Sequence, residues 1–420
     1  MRSAQVTLAL CVIGENRMEK DKLYQKCVSY VKTLCEEITE RSVGSEGNRR
    51  ATSFFRKELF SLSWQTEMSE LDVIDWEDGG ATLQVADQSF NVLVSPYSPG
   101  CSVHAPLISA SCLEELERRE ITGNILLLSG DIAKEQLMPK HFVFYNPEEH
   151  QNIIAHLEKK RPAAIISATG RNAALAGGVY PFPLIEDGDF DIPSVYTTEE
   201  EGKNLLSRIG KPAILQSRST RIPAKAYNVI ARKGKDMDKR IVITAHIDAK
   251  KGTQGAIDNA TGVVTLLLLA ELLKDYDGDR ILEIVAFNGE DYYAAPGQMD
   301  YISKNQEHFE NIVLNINIDG AGYKEGKSAF SFFDVPEVMR KVANDMLAKF
   351  DGITEGIQWP QGDHSIFIQQ GCPAIAVSSQ WLIEHIDSQD ITHTPKDNID
   401  IVDCRKVIEI AEALNWLIRK

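Results

Sequence analysis

Apolar positions recur at helical spacing from Lys20 to Cys35 in "KDKLYQKCVSYVKTLC". A second helix is predicted from Gly44 in "GSEGNRRATSFFRKELF", after a glycine-bearing turn. Beyond Trp76 the pattern changes to short extended runs cut by turn residues, such as "FNVLVSPYSPG" and "GNILLLSGD". Within this middle stretch, "IIAHLEKKRPAAIISATG" reads as a helix feeding a buried strand, and "DFDIPSVYTTEEEGKNLL" as a strand leading into a helix. From Ala226 onward strands and helices alternate: "RIVITAHID", "RILEIVAFN", "NIVLNINID" and "CPAIAVSS" are strands, and "TGVVTLLLLAELLKDY", "PEVMRKVANDMLAKF" and "CRKVIEIAEALNWLIRK" are helices. Such alternation predicts a three-layer α/β/α sandwich on a mixed, largely parallel sheet, with the middle stretch a smaller β-rich α+β unit. The run Leu266 to Leu269 belongs to a core helix, because Lys274 and Asp275 bound it well short of a bilayer span.

A chain of 420 residues exceeds what one compact core usually holds, which favours more than one folding unit. Its 43% hydrophobic and 25% charged content are those of an ordinary globular protein, and a formal charge of -16 argues against general affinity for nucleic acid or anionic membrane. Seven cysteines at irregular spacing, without a CxxC pair, fit neither a disulfide scaffold nor a zinc ribbon. The apolar run from Val6 to Gly14 is too short to span a membrane and lacks a clear cleavage site. Met18 is an alternative start, and the cytoplasm is the favoured compartment, with export on a degraded signal as the alternative.

The chemistry gathers at strand ends. His246 and Asp248 follow "VITA", Glu290 and Asp291 follow "IVAFNG", and Asp319 follows "NINI". In open α/β sheets, loops converge outside the carboxyl ends of the strands, so these side chains are expected to meet there. Asp258 in "GAIDNATG" and His393 in "ITHTPKDN" complete the set. Each of these residues alone is an ordinary turn or cap residue; their joint arrangement points to a metal. Neutral imidazoles with carboxylates suit zinc, and the surplus of carboxylates over one tetrahedral ion suggests two ions sharing a bridge.

From Arg240 to Asn398 the chain resembles the zinc-dependent aminopeptidases of the bacterial leucyl aminopeptidase type, relatives of glutamate carboxypeptidase II and glutaminyl cyclase. The matching pieces are "TAHID", "GAIDNATG", "AFNGED", "NINIDGAG", "GDHSIFIQQGCPAIAV" and "THTPKDN". "RSVGSEGNRRATSFF" is similar to the family's entry helix, and the middle region resembles an inserted protease-associated domain. The resemblance implies a peptidase domain split into 18–76 and 223–420 around an insert at 77–222. It implies two Zn²⁺ per chain, one on His246 and Asp319, the other on Asp291 and His393, with Asp258 between them and a cis peptide at Asp258-Asn259. Asp248 would accept the second imidazole N–H of His246, Glu290 would be the general base, and His364 of "GDHSIF" is a candidate for contact with substrate or for support of the residues that make it.

The implied activity is removal of N-terminal residues from peptides with a free N-terminus, with neither nucleic acid nor membrane as partner. The alternatives are a glutaminyl-cyclase-like acyltransferase and an inactive peptide-binding protein on the same scaffold. Two departures stand out: Asp291 replaces the family's commoner glutamate, and "YYAAPGQMDYISKN" lacks the usual glycine pattern beside the site.

Overall fold

The computed structural model describes residues 20–142, 146–171 and 179–420; the apolar run at 6–14 and the choice between Met1 and Met18 lie outside them. At the centre of the sheet four parallel strands lie side by side in the order Ala374–Ser379, Ile312–Ile318, Asp236–His246 and Arg280–Phe287. A parallel sheet is covered on both faces, which explains why these strands read as unbroken apolar runs. Ile241, Ile243, Ala245, Ile284 and Ile316 pack on one side with the helices Thr261–Leu272 and Cys404–Ile418. Val242, Val285 and Phe287 pack on the other with Tyr301 and Phe367, which belong to the helices Pro296–Asn305 and His364–Gln369. Helices on both faces make the three layers. The leucine run lies in a helix buried all round, so it shows no polar stripe.

Antiparallel strands flank the parallel centre: Ser328–Phe333 beside Ala374–Ser379, and Pro212–Lys233 beside Arg280–Phe287. The sheet is therefore mixed and largely parallel at its centre, as the alternation of elements predicts. Gln65–Val85 pairs with Pro212–Lys233 from Gln65↔Arg232 to Val85↔Ala213, a ribbon that runs out of the central sheet. At its far end Pro212–Lys233 pairs with Cys101–Ala110, from which the parallel strands Ile125–Leu128, Ala164–Thr169 and Ser194–Thr198 continue. Separate apolar clusters, one centred on Leu126, Ile153 and Phe182 and the other on Leu83, Ile166 and Val195, surround this second set of strands.

The N-terminal piece is thus helical only to Ser61; an extended strand begins at Gln65, before the expected change at Trp76. Acidic residues hid it: Glu67 pairs with Arg232, and Glu70 and Asp72 with Lys225, so charges on the ribbon's faces break the apolar alternation. The expected division points fall within this ribbon, where Trp76 is paired with Arg221. No helix among the described residues is long and apolar enough to cross a membrane.

The flank of the sheet is closed by a buried ionic knot. Glu283, inaccessible to solvent, accepts from Arg232 Nε at 2.6 Å and from the Tyr301 hydroxyl at 2.6 Å, with Arg240 Nη1 at 3.4 Å. Removing one partner of such a group leaves buried charge uncompensated. Glu283→Ala is therefore expected to destabilise the fold by about 3–5 kcal/mol in denaturant titration, and a loss under about 1 kcal/mol would contradict this account of the knot.

Candidate metal centre

The carboxyl ends of three adjacent parallel strands supply the floor of the site. His246 ends the strand Asp236–His246, Asp319 directly follows Ile312–Ile318, and Glu290 and Asp291 stand three and four residues beyond Phe287. Asp258 enters from the turn before the helix Thr261–Leu272, and His393, at φ 59°, from the loop that precedes the closing helix. The peptide between Asp258 and Asn259 is cis. Asn259 holds the turn, donating to the Ile318 carbonyl at 2.8 Å and accepting from Gly262 N at 3.1 Å.

Asp258 lies between the two histidines. Its Oδ1 is 3.1 Å from His246 Nε2 and its Oδ2 is 3.2 Å from His393 Nε2. Asp319 Oδ1 is 3.6 Å from His246 Nε2, and Asp291 Oδ1 is 2.8 Å from His393 Nε2. Three overlapping groups, His246–Asp258–Asp319, Asp258–Asp291–His393 and His246–Glu290–Asp291, each place their donor atoms within 4.8 Å of one another.

A divalent cation fits these residues. Both ring nitrogens of His246 and Asp291 Oδ2 are buried without a hydrogen-bond partner, an arrangement that is costly unless something else satisfies them. His246 Nε2 nonetheless faces two carboxylate oxygens at 3.1 and 3.6 Å, close by but not in hydrogen-bond geometry. Ligands of one tetrahedral ion with bonds of 2.0–2.1 Å stand about 3.3 Å apart. The charge balance agrees. Burial would lower the His393 imidazole, but Asp291 and Asp258 outweigh it and raise it to about 10. His246 is likewise raised against its burial, by Asp248, Asp258 and Asp319. Burial pushes Glu290 well above the usual carboxyl range, and the charges of Asp291, Asp319 and Asp363 add to it against the pull of His246. So acidic and enclosed a cluster calls for added positive charge.

Two sequence expectations are altered by the geometry. Asp248 Oδ1 is 3.7 Å from His246 Nδ1, beyond hydrogen-bond reach. Its carboxylate instead accepts the backbone N–H groups of Gly289, Glu290 and Asp291 at 2.7, 3.3 and 3.2 Å. It shapes the loop that carries Glu290 and Asp291. His364 does not line the cleft. Its ring is fully buried against Phe333 and Trp359, and its Nε2 meets the Trp359 carbonyl at 2.9 Å; burial lowers it to about 4, which keeps it neutral. It supports Trp359, which does face the cleft.

Two supporting residues escaped the sequence reading. Asp397, four positions past His393, is buried and accepts from the N–H groups of Ile257 at 2.7 Å and Asp258 at 3.0 Å, fixing the turn that presents Asp258. Arg41, also buried, donates to the carbonyls of Leu34, Ile247, Gln254 and Gly255 and ties the N-terminal helices to the site. Both stand inside quoted motifs, "THTPKDN" and "RSVGSEG", which was the available signal.

The donor cluster opens into a cleft of roughly 240 Å³ whose apolar wall is built by Trp359, Leu382, Ile383 and Ile386. Fold and donor set together define a class: an α/β protein with a carboxylate–imidazole cluster, able to hold a cation, at the carboxyl ends of its parallel strands. Residues 228–417 match the model of Peptidase family M28. A probable leucine aminopeptidase 2 of Aspergillus oryzae is 21% identical over 369 residues, covering 84% of this chain and 64% of the relative, just under two thirds of its length. Among solved structures, an aminopeptidase from Aneurinibacillus sp. strain AM-1 superposes with a TM-score of 0.75 at 18% identity, covering 94% of this chain and 93% of that one. BSAP, a zinc aminopeptidase from Bacillus subtilis, gives 0.73 at 18% identity, with 94% of each chain covered.

Proposed function

We propose that the chain is a zinc-dependent aminopeptidase with two metal positions, His246 and Asp319 holding one ion, Asp291 and His393 the other, and Asp258 shared. The observation that carries this is the placement of the two Asp258 oxygens, each beside a different histidine, at 3.1 and 3.2 Å. When bound, the zinc pair supplies the positive charge that polarises the scissile carbonyl and makes a nearby water more acidic. The chain's own groups do the rest. A Glu290 carboxylate oxygen takes a proton from the attacking water and returns it to the leaving amine nitrogen. Asp248 holds Glu290 and Asp291 in place through their backbone N–H groups. The apolar wall of Trp359, Leu382, Ile383 and Ile386 receives the N-terminal side chain.

In this reading 77–222 is a separate insert resembling a protease-associated domain; its own apolar clusters support that division. The partners are peptides with a free N-terminus, and the compartment is the cytoplasm, on the sequence reading above. Incubating the full chain with zinc and a panel of aminoacyl nitroanilides tests the proposal. Leucyl and other medium-sized apolar substrates are expected to turn over at least about tenfold faster than lysyl or aspartyl ones, since a lost apolar contact is worth about 1–3 kcal/mol. A chelator should abolish turnover and zinc restore it. Cyclisation of N-terminal glutamine peptides without release of any residue would overturn the proposal in favour of acyl transfer.

A further inference from the structure

We infer that a strut from the middle region, Glu186 acting through Lys250, positions Asp291 and so sets the affinity of the second metal position; the inference rests on the two-metal reading above. Asp291 is one methylene shorter than glutamate, so its backbone must stand closer to the ion for ligand distances of about 2.0–2.2 Å. Both polar ends of its main chain are gripped by charged side chains. Its N–H goes to Asp248 Oδ2 at 3.2 Å, and its carbonyl accepts from the Lys250 ammonium. Charge-assisted bonds of this kind are about twice as strong as neutral ones.

Lys250 is fixed in turn from the middle region. Its Nζ donates to Glu186 Oε1 at 2.6 Å, and Glu186, itself buried, also accepts from Gln136 at 3.2 Å. The ammonium stands 5.1 Å from the centre of the Tyr292 ring. The two tyrosines that follow Asp291 complete the contact. Tyr292 and Tyr293 meet the buried Tyr97 edge-on at 6.1 and 4.9 Å between centroids, and the Tyr292 hydroxyl donates to the Ala249 carbonyl at 2.9 Å. Tyr293 also covers Gly188 so closely that a Cβ there would lie 2.4 Å from its Cζ. The "YY" that departs from the family pattern is therefore the surface on which the middle region, through Tyr97 and Gly188, presses the Asp291 loop. Glu186 and Lys250 touch no donor atom of the proposed site and are positioning residues.

The test is zinc binding to Lys250→Met, Glu186→Ala and the double variant of the full chain, by calorimetry and competing chelator, with thermal unfolding of the zinc-free proteins alongside. The wild type should bind two zincs. Each single variant should weaken one of the two by about 10–100-fold, the usual effect of outer-shell changes, while the other zinc keeps its affinity; the double variant should lose no more than the worse single one. Unchanged affinity at both positions, or an equal loss at both that tracks a lowered unfolding temperature, would overturn the strut. A wild type that binds fewer than two zincs would instead sink the two-metal reading itself.

Discussion

Glu290→Gln is expected to lower turnover of a leucyl substrate by at least about a hundredfold while both zincs remain bound, the scale of a lost general base. Glu290 stands beside a proposed ligand, lines the cleft with Asp258, Asp291 and Asp319, and has its backbone N–H fixed by Asp248 at 3.3 Å. Glutamine preserves the shape and the backbone bond but cannot take a proton. Metal analysis must accompany the kinetics, because Glu290 also belongs to one of the donor groups with His246 and Asp291. Loss of zinc with unchanged turnover per ion retained would make Glu290 a ligand and remove it as the base.

Asp291→Ala is expected to reduce zinc content from two toward one per chain and to cut turnover by more than about a hundredfold, beyond the range of outer-shell changes. Asp291 Oδ1 is 2.8 Å from His393 Nε2, while its Oδ2 is buried without a partner. On the proposed assignment, deleting the carboxylate would leave His393 only Asp258 as a fellow ligand. His246, Asp258 and Asp319 still stand together and should retain the other ion. Two zincs held with wild-type affinity by the variant would show that Asp291 is not a ligand. A comparison with Lys250→Met separates the loss of the ligand from the loss of what places it.

The parallel centre of the sheet was legible because strands covered on both faces are unbroken apolar runs, and because such strands end where their loops can converge. This is why His246, Glu290, Asp291 and Asp319 could be named together from the strand pattern, while Asp258 and His393, which stand on a turn and a loop, joined them through "GAIDNATG" and "ITHTPKDN". The Gln65–Val85 strand was not legible, since Glu67, Glu70 and Asp72 face basic partners on the ribbon and mimic a solvated loop. The helix Pro296–Asn305 was missed for a related reason: its buried positions include Gly297, Gln298 and Asn305, which no apolar stripe would mark.

Asp248 shows the limit of spacing arguments. Two residues beyond a histidine on a continuing strand, it would share that side chain's face. The strand ends at His246, however, and Asp248 turns to the 289–291 backbone instead. For His364 the motif gave no direction for the side chain, which stands behind the cleft against Trp359 and not on its surface. Tyr97 and Glu186, more than a hundred residues upstream, reach the Asp291 loop through Tyr292, Tyr293 and Lys250, long-range contacts that no local spacing discloses.

The central claim is that Asp258 is shared by two metal ions. Its most direct test is anomalous diffraction at the zinc edge from crystals of the full chain grown with zinc. The account predicts two peaks, one bounded by His246, Asp258 and Asp319 and the other by Asp258, Asp291 and His393. A single peak, or a second one away from Asp258, would contradict it.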